Sequence, residues 1–204
     1  MAKLIFRYAT MNSGKSLNLI STVHNYREND NKILIMKPMV DTKGGDSVTT
    51  RLGLSENVDI LIPPGFSILK LLIGKLNDVK CIFVDEAQFL SAKQVNDLFI
   101  IAKTLDIDVI CYGLRTNFKS VGFEGSSRLM DLADELDEFK SLCRCGNIAR
   151  FCGRKVDGKF VINGDDVLID GSLDVEYVPL CGECYLRDVR GIDSEKVKTY
   201  VKKV

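Results

Sequence analysis

The sequence is poor in histidine and has no excess of either charge. His24 is the single histidine, so a Ser-His-Asp or Cys-His mechanism has little to work with, and a zinc site would have to consist mainly of sulfur. Lysine plus arginine equals aspartate plus glutamate, at 28 each. A protein that tracks a nucleic-acid backbone usually carries a basic excess, so nucleic acid is not the expected partner. The alternative is a local basic patch that binds nucleic acid on an otherwise neutral protein.

Long apolar runs are also missing. No run reaches the roughly 18 residues that span a bilayer, and the opening residues, MAKLIFRYAT, are too short for a signal peptide. We therefore expect a cytoplasmic protein without a membrane partner. In that compartment the seven cysteines indicate buried thiols or a metal site rather than disulfides.

Short apolar strands alternate with segments of helical spacing as far as residue 140, which predicts an α/β fold with a parallel sheet flanked by helices. The predicted strands cover 3–9, 33–37, 80–84 and 108–113, and the predicted helices cover 15–29, 67–77, 91–105 and 126–140. A polar, aperiodic stretch at 41–53 predicts a mobile surface loop. Composition changes after residue 140, so we predict an α/β domain at 1–140, a small loop-rich module without helices at 141–190, and a basic tail at 191–204.

A phosphate-binding loop is indicated by residues 9–16, ATMNSGKS. Gly14, Lys15 and Ser16 match the Walker A pattern, and Ala9 stands where the first glycine is usual. Such a loop directs backbone amides at phosphate oxygens, and the helix that follows adds its positive end. Lys15 is predicted to reach the β- and γ-phosphates and Ser16 to hold magnesium. The alternative is an ordinary strand-to-helix turn.

An acidic pair follows the third predicted strand, in the segment IFVDEAQF at 82–89. An apolar strand that ends in two acids is typical of a Walker B arrangement. Asp85 is then expected to contact the magnesium shell, and Glu86 to take a proton from a bound hydroxyl. The alternative is a solvated turn whose acids favour the start of the next helix.

Two close cysteine pairs stand in the C-terminal module. Cys143 and Cys145 occur in LCRCG, and Cys181 and Cys184 occur in LCGEC. Two such pairs separated by a loop fit a tetrahedral structural zinc site. A small module with few large apolar side chains has little hydrophobic core, so it needs a bound metal to be stable. The alternative is a set of free thiols or a redox pair, and Cys152 is a fifth candidate ligand.

Taken together, these segments resemble the type II thymidine kinase family. The resemblance is carried by YATMNSGKS, LIMKPMVDT, FVDEAQFL, ICYGLRTNFKSVGFEGS, the two cysteine pairs and EYVPLC, in family order over most of residues 3–187. It implies a P-loop NTPase-like sheet with a small zinc-binding lasso domain, and ATP-dependent phosphorylation of the 5′-hydroxyl of thymidine to dTMP in pyrimidine salvage. It also implies Mg²⁺ with the ATP, a structural Zn²⁺ and a homotetramer.

The resemblance also implies residue roles. Glu86 resembles the general base, and Cys143, Cys145, Cys181 and Cys184 the zinc ligands, although many relatives carry histidine where this chain has Cys184. The residues that match the ATP and magnesium contacts are Ala9, Thr10, Met11, Asn12, Ser13, Gly14, Lys15, Ser16, Arg51, Asp85 and Gln88. The residues that match the nucleoside contacts are Met11, Phe89, Leu114, Phe118, Phe123, Cys152 and Tyr177. Segment 146–180 resembles the lasso that closes over thymine.

Two other functions compete with this one. A P-loop ATPase with a nucleic-acid-binding zinc ribbon would use the same motifs, but the neutral charge and the lack of aromatic residues interleaved with a basic stripe argue against it. A non-enzymatic zinc scaffold would leave both phosphate motifs without a role.

Overall fold

The computed structural model describes residues 1–39, 45–164 and 174–202. It divides into two compact units. The first unit consists of Met1–Ala9, Gly14–Arg115 and Gly122–Phe139, and the second consists of Thr10–Ser13, Thr116–Val121 and Lys140–Val204. Parts of the predicted mobile loop (41–44) and of the predicted lasso (165–173) lie outside the described residues.

The first unit is built on a parallel six-stranded sheet in the order β5-β2-β6-β7-β1-β8. A separate antiparallel pair joins β3 to β4. The strands are β1 Leu4–Ala9, β2 Lys32–Pro38, β3 Ser47–Thr49, β4 Ser55–Asn57, β5 Ile60–Ile62, β6 Val79–Val84, β7 Asp108–Leu114 and β8 Glu135–Glu138. Because all six strands of the sheet run in one direction, their carboxyl ends meet at one edge, where ligands bind in folds of this kind.

Helices cover both faces of this sheet. They are α1 Lys15–Glu28, α2 Ile68–Leu71, α3 Ala92–Leu105 and α4 Glu124–Leu132. Successive strand residues point to opposite faces, so Ile82 and Val84 pack in one cluster with α3 and α4. Cys81 and Phe83 pack in the other cluster with α1. Burial on both faces explains why the central strands read as continuous apolar runs rather than alternating ones.

The predicted helix at 126–140 is wrong in its second half. Helix α4 ends at Leu132, and Glu135–Glu138 forms β8, which pairs with β1. This edge strand is held by partners distant in the sequence, since Glu135 pairs with Lys3 and Asp137 accepts from the Arg7 Nε at 3.2 Å. Its charged composition carries no strand signal of its own.

Two other predictions in the first unit need correction. The helix predicted at 67–77 is reduced to the four residues of α2. Where the predicted loop 41–53 is described, it begins a β-hairpin, because β3 pairs in register with β4. Arg51 is exposed in the turn that joins these two strands.

The second unit contains a three-stranded antiparallel sheet in the order β12-β11-β13, a two-stranded pair of β9 with β10, and two helices. The elements are β9 Ser141–Leu142, β10 Ile148–Ala149, β11 Phe151–Val156, β12 Lys159–Val161, β13 Val175–Leu180, α5 Gly182–Asp188 and α6 Ser194–Val201. Helix α5 overturns the expectation of a module without helices. Its first turn is capped by Cys181, whose Sγ accepts from the Cys184 N–H at 3.5 Å.

Within the described parts of the chain, no helix combines the length and the apolar character needed to cross a membrane.

Helix α4 approaches the turn after β6 so closely that a side chain at Gly125 has no room. A Cβ there would lie 2.6 Å from the carbonyl oxygens of both Ala87 and Leu90. We expect Gly125→Ala to lower the free energy of unfolding by about 1–3 kcal/mol, the usual cost of overpacking. Ser127→Ala, at an exposed position of the same helix, is the control and should be nearly neutral. Urea denaturation of both variants measures the difference, and equal midpoints would show that α4 can move away freely.

Candidate functional site

The Walker A segment lies where β1 passes into α1. Ala9 is the last residue of β1, and α1 begins at Lys15. Gly14 caps the helix with φ 85°, a left-handed conformation that glycine adopts at little cost. The start of a helix presents backbone N–H groups and the positive end of the dipole, the arrangement that binds phosphate. Thr10–Ser13 fall in the second unit, where the Ser13 Oγ donates to the Thr10 carbonyl at 3.0 Å.

Asp85 is a buried carboxylate at the end of β6. It is 6% exposed, and its N–H donates to the Met36 carbonyl at 3.0 Å, which extends the ladder with β2. Burial, and then the charge of Glu86, raise the pKa of Asp85 to about 7. The positive charges of Lys37 and Lys15 oppose this rise. A bound cation would act in the same direction as these lysines, because it favours the ionised form.

Glu86 is held in an uncommon backbone conformation. It has φ 51° and ψ 35°, a left-handed geometry that costs a non-glycine residue roughly 1–3 kcal/mol and recurs at functional sites. Gln88, only 2% exposed, donates from Nε2 to a carboxylate oxygen of Glu86. The Gln88 Oε1 accepts from the Leu114 N–H at 3.1 Å. Gln88 therefore ties Glu86 to the end of β7, and its predicted contact with ATP or magnesium stays a prediction.

Lys37, which ends the apolar run ILIMK, was not among the predicted site residues. Lys37 is 7% exposed and its Nζ donates to the Ser47 carbonyl at 3.2 Å. It follows Met36, which pairs in register with Val84, the residue before Asp85. A lysine within an apolar strand is the signal that could have identified it, since a buried lysine needs an acidic or carbonyl partner.

Three residues predicted to contact the nucleoside belong to the first unit. The rings of Phe89 and Phe123 meet edge to face, with centroids 5.7 Å apart and an interplanar angle of 79°. The carbonyl of Leu114 accepts from the Ser126 hydroxyl at the start of α4. All three predicted residues are half-buried, so part of each side chain remains accessible.

The other four nucleoside candidates belong to the second unit. The Met11 N–H donates to the Cys152 Sγ at 3.3 Å. Phe118 is 1% exposed, and the guanidinium carbon of Arg154 lies 3.6 Å from its ring centroid. Tyr177, half-buried on β13, is in register with Arg154 on β11. Arg154 was missed because nothing in its local sequence, FCGRKV, distinguishes it from a surface arginine.

The thiols of the two cysteine pairs converge. Among the described residues, the one group of side chains that could hold a metal consists of Cys143, Cys145, Cys181 and Cys184, whose Sγ atoms all lie within 4.8 Å of one another. The Sγ atoms of Cys145 and Cys181 are 3.5 Å apart, close to the edge of about 3.8 Å in a tetrahedron with zinc–sulfur bonds of ~2.3 Å. The donor set therefore fits zinc, and four protein ligands leave no position for water.

The electrostatics of this cluster also favour a cation. Burial opposes ionisation of Cys143, but hydrogen bonds from the backbone of Cys145 and Cys181 and from the neighbouring thiols outweigh it and lower the pKa of Cys143 to about 6. Burial and the same neighbours raise the pKa of Cys184 to about 12. The Cys143 thiolate thus forms readily, whereas ionisation of Cys184 requires a positive charge close to its sulfur.

The loop at the start of α1 and the buried aspartate at the end of β6, on a parallel sheet flanked by helices, define a P-loop NTPase-like α/β fold. A sequence model of the family described as "Thymidine kinase" matches residues 2–185. The chain is 40% identical over 185 residues to the thymidine kinase of Enterobacteria phage T4, covering 89% of this chain and 94% of that one. It is 39% identical over 190 residues to the thymidine kinase of Chromobacterium violaceum, covering 92% of this chain and 100% of that one. The chain belongs to the thymidine kinase family.

The four-thiol cluster should hold one zinc ion per chain. Cys181→Ser is expected to abolish zinc binding, because it removes one of the four thiolate ligands, while the serine hydroxyl can still cap α5. Cys152→Ser is the matched control, since the Cys152 Sγ lies outside the cluster and accepts from the Met11 N–H. Elemental analysis of the purified proteins measures zinc per chain. Zinc retained in Cys181→Ser, or lost in Cys152→Ser, would show that the ligands are assigned incorrectly.

Proposed function

We propose that this chain is an ATP-dependent thymidine kinase, which transfers the γ-phosphate of ATP to the 5′-hydroxyl of thymidine and yields dTMP for DNA precursor synthesis. Membership of the family supports the substrate. The observation that carries the reaction is the arrangement at the end of β6, where buried Asp85 stands beside Glu86 and Gln88 fixes the Glu86 carboxylate. The net charge of zero gives no support to a nucleic-acid-dependent ATPase.

The phosphate side of the reaction is assigned to the first unit. Lys15, at the first position of α1, neutralises charge on the β- and γ-phosphates. The hydroxyl of Ser16 and the carboxylate of Asp85 would hold Mg²⁺, which when bound with ATP neutralises charge on the phosphate oxygens. Asp85 is suited to this role because its burial makes an unpaired negative charge unfavourable.

Glu86 is assigned as the general base. As the 5′-oxygen bonds to the γ-phosphorus, the bond from that phosphorus to the β,γ-bridging oxygen breaks and ADP leaves, and the proton of the 5′-hydroxyl passes to the Glu86 carboxylate. The Gln88 Nε2 donates to one oxygen of this carboxylate, which fixes its orientation. The left-handed backbone at Glu86 serves the same end, since it sets the direction in which the side chain leaves the strand.

The nucleoside contacts, the closing of segment 146–180 and the homotetramer are parts of the same proposal and come from the family resemblance. Zinc would have a structural role. The cluster joins Cys145 to Cys181, 36 positions apart, so a metal bound there would close residues 146–180 into a loop. Closing this loop would reduce the conformational entropy that is lost when it binds a ligand.

Glu86→Gln tests the assignment of the base. Glutamine keeps an oxygen that can accept from the Gln88 Nε2, but it cannot take a proton, so turnover should fall by roughly two to four orders of magnitude while nucleotide binding stays nearly intact. Glu135→Gln is the control, because Glu135, on edge strand β8, pairs with Lys3 and has no predicted role in the reaction. Steady-state production of dTMP and calorimetric binding of an ATP analogue are the two measurements.

Turnover of Glu86→Gln close to that of the parent would remove Glu86 from the mechanism. A fall of the same size in Glu135→Gln would show that loss of any carboxylate in this unit impairs the enzyme, and the base would have to be sought elsewhere.

A further inference from the structure

Arg154 is the largest side chain among the fully buried residues of the described chain, and it is charged. It lies on β11 and is 2% exposed. Its guanidinium carbon lies 3.6 Å from the centroid of the Phe118 ring, and its Nη2 donates to the Asn163 carbonyl at 2.7 Å. Because burial of a cation is costly unless it is stacked and hydrogen-bonded, these contacts hold the guanidinium in one geometry.

Phe118 is in turn fixed at two points. Its ring lies under the Arg154 guanidinium, and its carbonyl accepts from the Tyr185 hydroxyl at 2.9 Å. Tyr185 is 4% exposed, stacks on Phe151 with centroids 5.2 Å apart and directly follows the cluster cysteine Cys184. The backbone of Phe118 is therefore anchored to α5, the helix that carries Cys184 and is capped by Cys181. The Arg154 guanidinium lies closer to the Phe118 ring than the Lys119 Nζ does, which is 5.4 Å from the same centroid.

The same face of β11 carries another predicted nucleoside contact. Cys152 and Arg154 are two positions apart on the strand, so both side chains leave the same face of the sheet. The Cys152 Sγ accepts from the Met11 N–H at 3.3 Å. Within the second unit, this face thus contacts both Phe118, through Arg154, and Met11, through Cys152. Phe118, Met11 and Cys152 were all predicted to contact the nucleoside, and Arg154 was not.

We propose that Arg154 is a positioning residue for the acceptor nucleoside, which acts by holding the Phe118 ring in its binding orientation. Arg154 itself does not touch the substrate. This inference rests on the proposed function, because Phe118 matters for thymidine only if the chain phosphorylates thymidine. Its consequence is that thymidine binding depends on the stacked guanidinium, whereas ATP binding does not.

Arg154→Lys tests the stacking directly. Lysine keeps the charge but loses the planar group that covers the ring and the fixed donor to the Asn163 carbonyl. We expect the KM for thymidine to rise about tenfold, with the KM for ATP and the zinc content within about twofold of the parent, as loss of a desolvated cation–π contact would give. Lys155→Met is the matched control. Lys155 lies on the same strand as Arg154, and its Nζ is 5.2 Å from the centroid of Phe160 on the neighbouring strand β12. Its loss should leave the thymidine KM unchanged.

A double-variant cycle identifies Phe118 as the residue through which Arg154 acts. Phe118→Leu should raise the thymidine KM, and adding Arg154→Lys to it should produce no further rise. If Arg154→Lys loses zinc or fails to fold, Gly164→Ala replaces it. A Cβ at Gly164 would lie 2.5 Å from the Arg154 Nη2, and the φ of 109° at Gly164 disfavours any side chain. The substitution therefore strains the local backbone and displaces the guanidinium without removing it, and it should raise the thymidine KM in the same way.

Three outcomes would overturn the inference while the proposed function stands: an unchanged thymidine KM in Arg154→Lys or its replacement, equal rises in the KM for thymidine and ATP, or additive effects in the cycle. A parent protein that folds, holds zinc and forms no dTMP would instead overturn the proposed function.

Discussion

Strands that run in one direction bring their carboxyl ends to the same edge of a sheet, and the assignments in the first unit depend on this constraint. Lys37 lies at the end of β2, Asp85 follows β6, Leu114 ends β7, and Lys15 opens the helix after β1. The register aligns these ends, since Ala9 pairs with Leu114 and Met36 with Val84. Residues far apart in the sequence thereby reach one edge with their backbone groups satisfied by the ladder.

This arrangement makes the ionised form of Asp85 unfavourable. A carboxylate that is 6% exposed and adjacent to a second acid is held above its ordinary pKa, near 7, and it needs positive charge to remain ionised. Lys37 and Lys15 supply part of that charge. Gln88 supplies order rather than charge, because it binds Glu86 with one end of its amide and the Leu114 N–H with the other. The acidic pair is therefore divided into a buried acid that favours a cation and a half-buried acid whose direction is fixed.

Much of this could be predicted from the sequence where the signal is local. The central strands β1, β2, β6 and β7 are buried on both faces and appear as apolar runs, so their positions were confirmed within a residue or two. Edge strand β8 could not be predicted, because the charged segment ELDE is held by Lys3 and Arg7, more than 100 residues away in the chain. Helix α5 was missed because its cap is a cysteine that patterns treat only as a ligand.

The candidate site likewise contains features that a local sequence motif predicts and contacts that no motif predicts. The loop before α1, the acidic pair and the two cysteine pairs follow from motifs, since each needs particular residue types at a fixed spacing. The contacts that orient them do not follow from spacing. Gln88 reaches 26 positions along the chain to Leu114, and Arg154 covers a ring at Phe118. Such contacts exist only after the chain has folded, and a buried arginine in a short strand reads like a surface residue beforehand.

Identification of the reaction products is the decisive test of thymidine kinase activity in this chain. The purified protein is incubated with ATP, Mg²⁺ and each of the four deoxynucleosides in turn, and the products are identified by mass spectrometry. We expect dTMP from thymidine, formed in equal amount to ADP, with little or no phosphorylation of the purine deoxynucleosides. ADP formed at the same rate without any nucleoside, or turnover that rises with DNA and yields no dTMP, would contradict it.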